Sequence, residues 1–131
     1  MIAGFALQER RRAILGIDAS ATVEQTWGQV ARIARRTAEA IALGRELADE
    51  EIVLLDEWHA GTYGIPDART IEAIKLCARL EGMLTDPVYE GKSMAALIDL
   101  VREGRIEPGS RVLYAHLGGQ PALNAYSDAF D

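Results

Sequence analysis

Three short apolar runs, each ending in a polar side chain, constrain the fold of this chain more than any other feature. The runs are residues 13–18, 52–56 and 111–116, and they end at Asp18, Asp56 and His116. Longer stretches with helical spacing of apolar residues separate them, a pattern typical of a parallel sheet. Because consecutive residues within a run are apolar, we expect strands buried on both faces, with helices on both sides. The predicted fold class is therefore α/β and three-layer, with a mostly parallel sheet.

Helix signals lie between and around these runs. Apolar residues spaced three and four apart predict long helices, and capping residues predict where they start. The expected starts are Thr22 with Gln25 as a capping pair, Pro66–Asp67, Ser93, and residues 119–122 with proline in the first turn. Gly104 is expected to end the helix that follows Ser93.

Two features suggest that more polypeptide completes the fold. A parallel sheet of three strands has two exposed edges and is seldom stable alone, so further chain or a partner is expected to cover it. Residues 1–6 are apolar and have no capping signal ahead of them. We interpret them as a helix whose beginning is missing.

Composition limits the class of partner. The 131 residues match one domain, and 20 acidic against 14 basic residues give a net charge of −6. Such a charge argues against general binding to nucleic acid or to an anionic membrane. No apolar run reaches the roughly 20 residues of a membrane span, and no signal peptide is recognisable. A single cysteine, Cys77, excludes an internal disulfide and favours the cytoplasm.

Ligands in α/β sheets collect at the carboxyl ends of the strands. Four polar segments are expected there, at residues 18–20, 56–59, 84–93 and 116–119. In the third of them, Tyr89 sets a phenol beside the carboxylate of Glu90. From the residues alone, an ordinary proline-containing turn between two helices with exposed polar residues is the favoured interpretation of this stretch, and a ligand site is the alternative.

The remaining reactive side chains favour structural roles. His116 ends a predicted buried strand, and Cys77 lies among apolar neighbours in a predicted helix. The two histidines lack the spacing of a metal site, so no metal is predicted. Residues 61–64 are not followed by the Lys-Ser/Thr pair of a P-loop, and we interpret them as a plain turn.

Several segments together are similar to one enzyme family. Residues 63–66, 70–94 and 109–119, with Pro121, Ala122, Leu123, Asn124 and Tyr126, resemble 1-aminocyclopropane-1-carboxylate deaminases, and residues 1–5 and 17–21 match them more loosely. The resemblance covers essentially the whole chain and is dense over its second half. That family belongs to the tryptophan-synthase-β-like, fold-type II enzymes that use pyridoxal 5′-phosphate.

The resemblance implies an activity and a set of site residues. Members open the cyclopropane ring of a small amino acid, the ethylene precursor, and release 2-oxobutanoate and ammonia. Tyr63 and Tyr89 match the two active-site tyrosines, with Tyr89 the candidate nucleophile or proton-transfer group. Glu90 matches the glutamate at the pyridine nitrogen of the cofactor, and Leu117 with Gly118 match the loop beside its ring.

These residue types suit that chemistry. A carboxylate at the pyridine nitrogen favours the protonated ring, which is the stronger electron sink. A tyrosine phenol can transfer a proton, or attack as a nucleophile once its proton is removed. The related D-cysteine desulfhydrases tend to carry threonine at the position of Glu90 and another residue at that of Leu117. Tyr89–Glu90 and residues 116–119 therefore favour a deaminase over a desulfhydrase.

One departure from the family concerns length. Members are much longer, and their Schiff-base lysine, substrate-binding serine and phosphate loop match no residue here; neither Lys75 nor Lys92 falls at the lysine position. We expect residues 1–131 to be the C-terminal part of an incomplete large domain that binds pyridoxal phosphate, inactive as an isolated fragment, with a family-like homo-oligomer as the expected assembly. A non-catalytic truncated remnant and a nucleotide-binding module at Gly118–Gly119 are the competing hypotheses.

Overall fold

The computed structural model describes residues 1–10, 12–20 and 22–131; Ala21, in one of the loosely matching segments, lies outside them. Helices and strands follow one another in the predicted order as far as the second of the two helices after β2. The helices are α1 (Ile2–Ala6), α2 (Val23–Ala40), α3 (Ala68–Glu81) and α4 (Glu90–Arg102), and the strands are β1 (Leu15–Ile17) and β2 (Val53–Leu55). Two 3-10 helices, Asp49–Glu51 and Gln120–Phe130, complete the described elements.

The sheet is formed by β1 and β2, which run parallel. Leu15 pairs with Val53 and Ile17 with Leu55, and the Asp18 N–H donates to the Leu55 carbonyl at 2.8 Å just beyond the paired residues. Helix α2 connects the two strands and contacts β2, while α4 contacts β1. The α/β prediction with a parallel sheet is confirmed.

The predicted third strand is wrong. Residues 111–119 form no regular secondary structure, and Leu113 is 81% exposed. Val, Leu and Tyr have strand propensity, but a strand also needs a neighbour to receive its hydrogen bonds. Here the N–H groups of Leu117 and Gly118 donate instead to the side chain of Glu90. The segment is therefore fixed by a carboxylate and not by a sheet.

Side-chain caps confirm two of the predicted helix starts. The Thr22 hydroxyl accepts from the Gln25 N–H at the start of α2, and the Asp67 carboxylate accepts from the Thr70 N–H at 2.8 Å at the start of α3. The predicted short helix after Gly119 is also present, as a 3-10 helix. Because Ser/Thr/Asp caps satisfy orphan N–H groups, these starts could be inferred locally.

The predicted start of α4 at Ser93 is wrong by one turn, because the helix begins at Glu90. At its other end, Gly104 adopts a left-handed φ of 72° directly after the C-cap Glu103, and its N–H donates to the Val101 carbonyl at 3.1 Å. This left-handed glycine ends the helix as predicted.

The main core lies between α3 and α4. Its buried members are mostly small or adaptable side chains, namely Trp58, Ala73, Cys77, Met94, Ala95, Ala96 and Leu100. A second cluster joins α1 to α2 and comprises Ala3, Ala34, Ala38 and Leu47. Within the described ranges, no helix is long and apolar enough to cross a membrane.

Close approach of α3 and α4 requires glycine at position 91. A Cβ there would lie 2.7 Å from the Asp86 carbonyl oxygen and 2.8 Å from Ile74 Cγ1. We expect Gly91→Ala to lower the free energy of unfolding by about 1–3 kcal/mol, the usual cost of overpacking. Urea unfolding measures this change.

The matched control for that substitution is Gly28→Ala in α2, where a Cβ meets nothing within 4 Å. Because glycine weakens a helix interior, Gly28→Ala should raise stability by about 0.5–1 kcal/mol. Equal stability of Gly91→Ala and the unaltered protein would contradict the tight contact between α3 and α4.

Candidate cofactor-binding site

The turn that carries Tyr89 and Glu90 is organised by Asp86. The carboxylate of this residue is 1% exposed and accepts three main-chain hydrogen bonds, from Val88 at 2.8 Å and from Tyr89 and Glu90 at 2.9 Å each. The main-chain carbonyl oxygen of Asp86 accepts one more hydrogen bond, from the Gly91 N–H at 2.7 Å. Asp86 therefore satisfies the free N–H groups at the start of α4 and makes the helix begin at Glu90.

Glu90 is the buried carboxylate of the site. Its Oε1 accepts from the N–H of Leu117 and from the N–H of Gly118, the latter at 2.9 Å. Its Oε2 contacts Nδ1 of His116, and neither of these two atoms forms a hydrogen bond of normal geometry in the described part of the chain. Glu90 thus joins the start of α4 to the loop of residues 116–118.

A pair of tyrosine hydroxyls lies at the surface, one of them on the residue that precedes Glu90. The Tyr63 and Tyr89 hydroxyls share a hydrogen bond, and their ring centroids are 5.9 Å apart at an angle of 59°. Both side chains are about half exposed. The hydrogen bond shared with Tyr63, followed by desolvation, raises the pKa of Tyr89 above its ordinary value of 10.0.

The chain's other two tyrosines hold the segments around the site. The Tyr114 hydroxyl donates to the Glu90 carbonyl at 2.9 Å and lies 2.8 Å from the Ser93 hydroxyl. Burial raises the pKa of Tyr114 to about 12. The Tyr126 hydroxyl donates to the Gly64 carbonyl at 2.8 Å, next to Tyr63. Both phenols therefore act on main-chain atoms adjoining the site residues.

Gly119 allows the loop 116–119 to pack on Asp86. Its φ is +90°, and a Cβ there would lie 2.5 Å from Oδ2 and 2.7 Å from Cγ of Asp86. Only glycine satisfies both the left-handed backbone and the close approach. The Asp86 carboxylate thus holds the start of α4 and packs against Gly119, while the Glu90 carboxylate holds Leu117 and Gly118 of the same loop.

The structure brings the predicted site residues into two adjoining groups. Tyr63 meets Tyr89 through their hydroxyls, and Glu90 meets Leu117 and Gly118 through its carboxylate. Asp86, His116, Tyr114 and Tyr126 were not predicted to support the site. An aspartate three residues before Tyr89 is a recognisable capping signal, whereas the contact of His116 with Glu90 depends on a loop path that the sequence pattern misassigned to a strand.

Cys77 and His59 have structural surroundings in the folded chain. Cys77 is buried, and burial raises the pKa of its thiol, as for an unreactive core cysteine. His59 Nδ1 accepts from the Gly61 N–H at 2.8 Å within a turn. Among the residues that the structure covers, no group of three or more potential metal ligands is found.

The residues present fit a flat aromatic heterocycle. Leu117 is 86% exposed beside the buried Glu90 carboxylate, and the space where a Gly118 Cβ would stand is open. The buried Oε2 of Glu90 has no hydrogen-bond partner among the described residues, so this oxygen could accept from a protonated ring nitrogen. Glu90, Leu117 and Gly118 are the residues that would hold such a ring.

Comparison with known proteins identifies the class to which this fold and site belong. The profile of the pyridoxal-phosphate dependent enzymes matches residues 1–118, and the chain therefore belongs to that family. The cofactor of the family is pyridoxal phosphate, which confirms the cofactor predicted from the resemblance.

Particular relatives narrow the class further. The chain is 59% identical over 130 residues to 1-aminocyclopropane-1-carboxylate deaminases of Burkholderia vietnamiensis and of a Methylobacterium species. These matches cover 99% of this chain but 38% and 39% of the relatives. A solved structure described as an ACC deaminase homologue is 27% identical with a TM-score of 0.79, over 98% of this chain and 39% of that one. The chain thus spans about two fifths of the length of these proteins.

Proposed function

We propose that this chain forms the pyridine-binding side of the active site of a 1-aminocyclopropane-1-carboxylate deaminase, which opens the cyclopropane ring and releases 2-oxobutanoate and ammonia. The observation that carries the proposal is the buried carboxylate of Glu90, which the N–H groups of Leu117 and Gly118 hold and which belongs to the residue directly after Tyr89. The 59% identity to deaminases supports the same assignment.

Glu90 sets the electronic character of the site. Bound pyridoxal phosphate supplies an electron sink for the substrate carbon next to its amino group. Two N–H donors hold Oε1 of Glu90, so the carboxylate needs little reorganisation when it meets a ring nitrogen. A carboxylate facing that nitrogen keeps a proton on it, whereas the threonine of the desulfhydrases has no charge to do so.

Tyr89 is the group that moves a proton. The phenol is protonated at neutral pH, because the ordinary tyrosine pKa of about 10 already lies well above it and the hydrogen bond with Tyr63 raises the pKa of Tyr89 further. This state favours proton donation to a carbon of the opening ring over attack by a phenolate, which would first require a base. Tyr63 orients the Tyr89 hydroxyl through their shared hydrogen bond.

We propose that the lysine and phosphate-binding groups of the complete site lie on other polypeptide, with residues 1–131 forming the C-terminal part of the large domain. The two lysines of the chain support this: Lys92 is fully buried, and the Lys75 ammonium donates to the Phe130 carbonyl at 2.9 Å. A family-like homo-oligomer in the cytoplasm is part of the same proposal, supported by the exposed apolar side chains of Leu113 and Leu117 and by a single cysteine without a disulfide.

Complementation tests this proposal directly. The chain is produced alone and together with the part of the Burkholderia vietnamiensis relative that it does not match, and 2-oxobutanoate release from 1-aminocyclopropane-1-carboxylate is measured. We expect turnover only from the combined polypeptides. Turnover by the chain alone, or a borohydride-reducible adduct of pyridoxal phosphate on Lys75 or Lys92, would show that the lysine assignment is wrong.

Substitution of Glu90 tests the choice of substrate. We expect Glu90→Thr in the active assembly to lower deaminase kcat on the order of 10²-fold, because it removes one preorganised charge from the site. It should also allow hydrogen sulfide release from D-cysteine. Glu90→Gln is the matched control, since its amide oxygen can still accept from Leu117 and Gly118 while the charge is lost. Unchanged deaminase kinetics in Glu90→Thr would remove the role given to Glu90.

A further inference from the structure

Lys92 lies fully buried in the first turn of α4, with 0% of its surface exposed. A buried ammonium is costly unless other groups replace its water. Among the described residues its hydrogen-bond acceptors are main-chain carbonyls, of His59 at 2.7 Å and of Ala19 at 3.4 Å. Burial lowers the pKa of Lys92, while the charges of Asp67 and Asp18 act against that shift.

The two carbonyls belong to the segments that leave the sheet. Ala19 follows the end of β1 by two residues, and His59 follows the end of β2 by four. The Lys92 ammonium therefore joins the carboxyl ends of both strands to the start of α4. A single side chain fixes three main-chain segments, which are otherwise far apart in sequence.

The segment after His59 needs such an anchor. Ala60 has a φ of +62°, a left-handed conformation that costs a residue with a Cβ about 1–3 kcal/mol and persists only where surrounding contacts compensate for that cost. This residue directly follows the carbonyl that Lys92 holds, and Tyr63 lies three residues further on. On the other side of the contact, Tyr89 is the N-cap of α4, three residues before Lys92.

We propose that Lys92 is a positioning residue, whose buried ammonium holds the loop of Tyr63 against the helix of Tyr89 by bridging the His59 and Ala19 carbonyls. Lys92 thus acts as an internal cation and not as a cofactor-binding lysine. This inference rests on the proposed function and deepens it, because it names the residue that aligns the Tyr63 and Tyr89 hydroxyls. The titration of these two phenols is the quantity that the test measures.

The main experiment is chemical rescue of Lys92→Ala. It uses the natural full-length polypeptide that carries this substitution. Carbon-13 NMR of labelled tyrosines follows the titration of each phenol separately. In Lys92→Ala we expect Tyr89 to titrate closer to the ordinary tyrosine pKa of about 10, because the Tyr63 hydrogen bond is lost. Propylammonium replaces the deleted atoms and should restore the raised pKa, whereas propyltrimethylammonium has no N–H to donate and should not.

Lys75→Ala is the matched control, because it also removes a lysine that donates to a main-chain carbonyl. It should leave the titration of Tyr89 unchanged. In an active assembly, Lys92→Ala should lower kcat on the order of 10²-fold with KM little changed, as expected for a misplaced reacting group. An unchanged Tyr89 titration in folded Lys92→Ala, or rescue by both cations alike, would overturn the proposal.

Measurements on the unaltered protein decide the matter if Lys92→Ala does not fold. Nitrogen-15 NMR should show a slowly exchanging Lys92 ammonium with a scalar coupling to the His59 carbonyl carbon. Exchange as fast as that of the part-exposed Lys75, or no coupling to His59, would also overturn the proposal. Absence of deaminase activity in the combined polypeptides would refute the proposed substrate but leave these NMR tests intact.

Discussion

In the active assembly, Tyr89→Phe should lower the proposed deaminase turnover by about 10²–10⁴-fold, the range expected when a proton-transfer group is removed. Phenylalanine keeps the ring but removes the hydroxyl that is hydrogen-bonded to Tyr63. Because both side chains are about half exposed, the free energy of unfolding should change by less than about 1 kcal/mol. Steady-state kinetics and urea unfolding on the same preparation separate the two effects.

Tyr63→Phe is the matched control, since it breaks the same hydrogen bond from the other side. Its effect on kcat should be smaller, because the reacting hydroxyl of Tyr89 remains. The pKa of Tyr89, which the Tyr63 hydrogen bond raises, should fall toward its ordinary value. The alkaline decline of activity should therefore begin at lower pH in Tyr63→Phe. Equal losses in both variants would show that the pair matters as a structural contact and that Tyr89 is not the proton donor.

The parts of the fold that could be predicted from the sequence are those set by local interactions. Thr22 and Asp67 satisfy N–H groups three residues ahead of them, and Gly104 adopts the left-handed conformation that ends a helix. These signals act within one helical turn and need no knowledge of the tertiary structure. The parallel pairing of β1 and β2 followed from their separation by a helix of crossover length.

The errors arose where long-range contacts override local propensity. Residues 111–116 have the side chains of a strand, yet the segment is held by Glu90, which lies more than 20 residues earlier. The start of α4 moved from Ser93 to Glu90 because the buried Asp86 carboxylate holds three N–H groups. The resemblance supplied Tyr63, Tyr89, Glu90, Leu117 and Gly118 as site residues. Their supporting side chains, Asp86 above all, became apparent only from the three-dimensional contacts.

Asp86→Ala should lower the free energy of unfolding by about 2–4 kcal/mol, because it leaves three main-chain N–H groups at the start of α4 without their carboxylate acceptor. The matched control is Asp67→Ala at the start of α3. Asp67 is a half-buried cap, so its loss should cost about 1 kcal/mol. Asp86→Asn should fall between the two, since one side of its amide presents an N–H to a main-chain donor. Urea unfolding ranks the three variants.

The consequence of losing Asp86 should extend beyond stability, because the same carboxylate orders Tyr89 and Glu90 and packs against Gly119. In the active assembly without denaturant, at a temperature where the Asp86→Ala variant is still folded, the kcat of Asp86→Ala should fall further than that of Asp67→Ala. Equal destabilisation by both substitutions would mean that Asp86 is an ordinary helix cap. A larger loss at Asp86, accompanied by loss of turnover, would show that one buried carboxylate aligns the phenol and the glutamate on which the proposed chemistry depends.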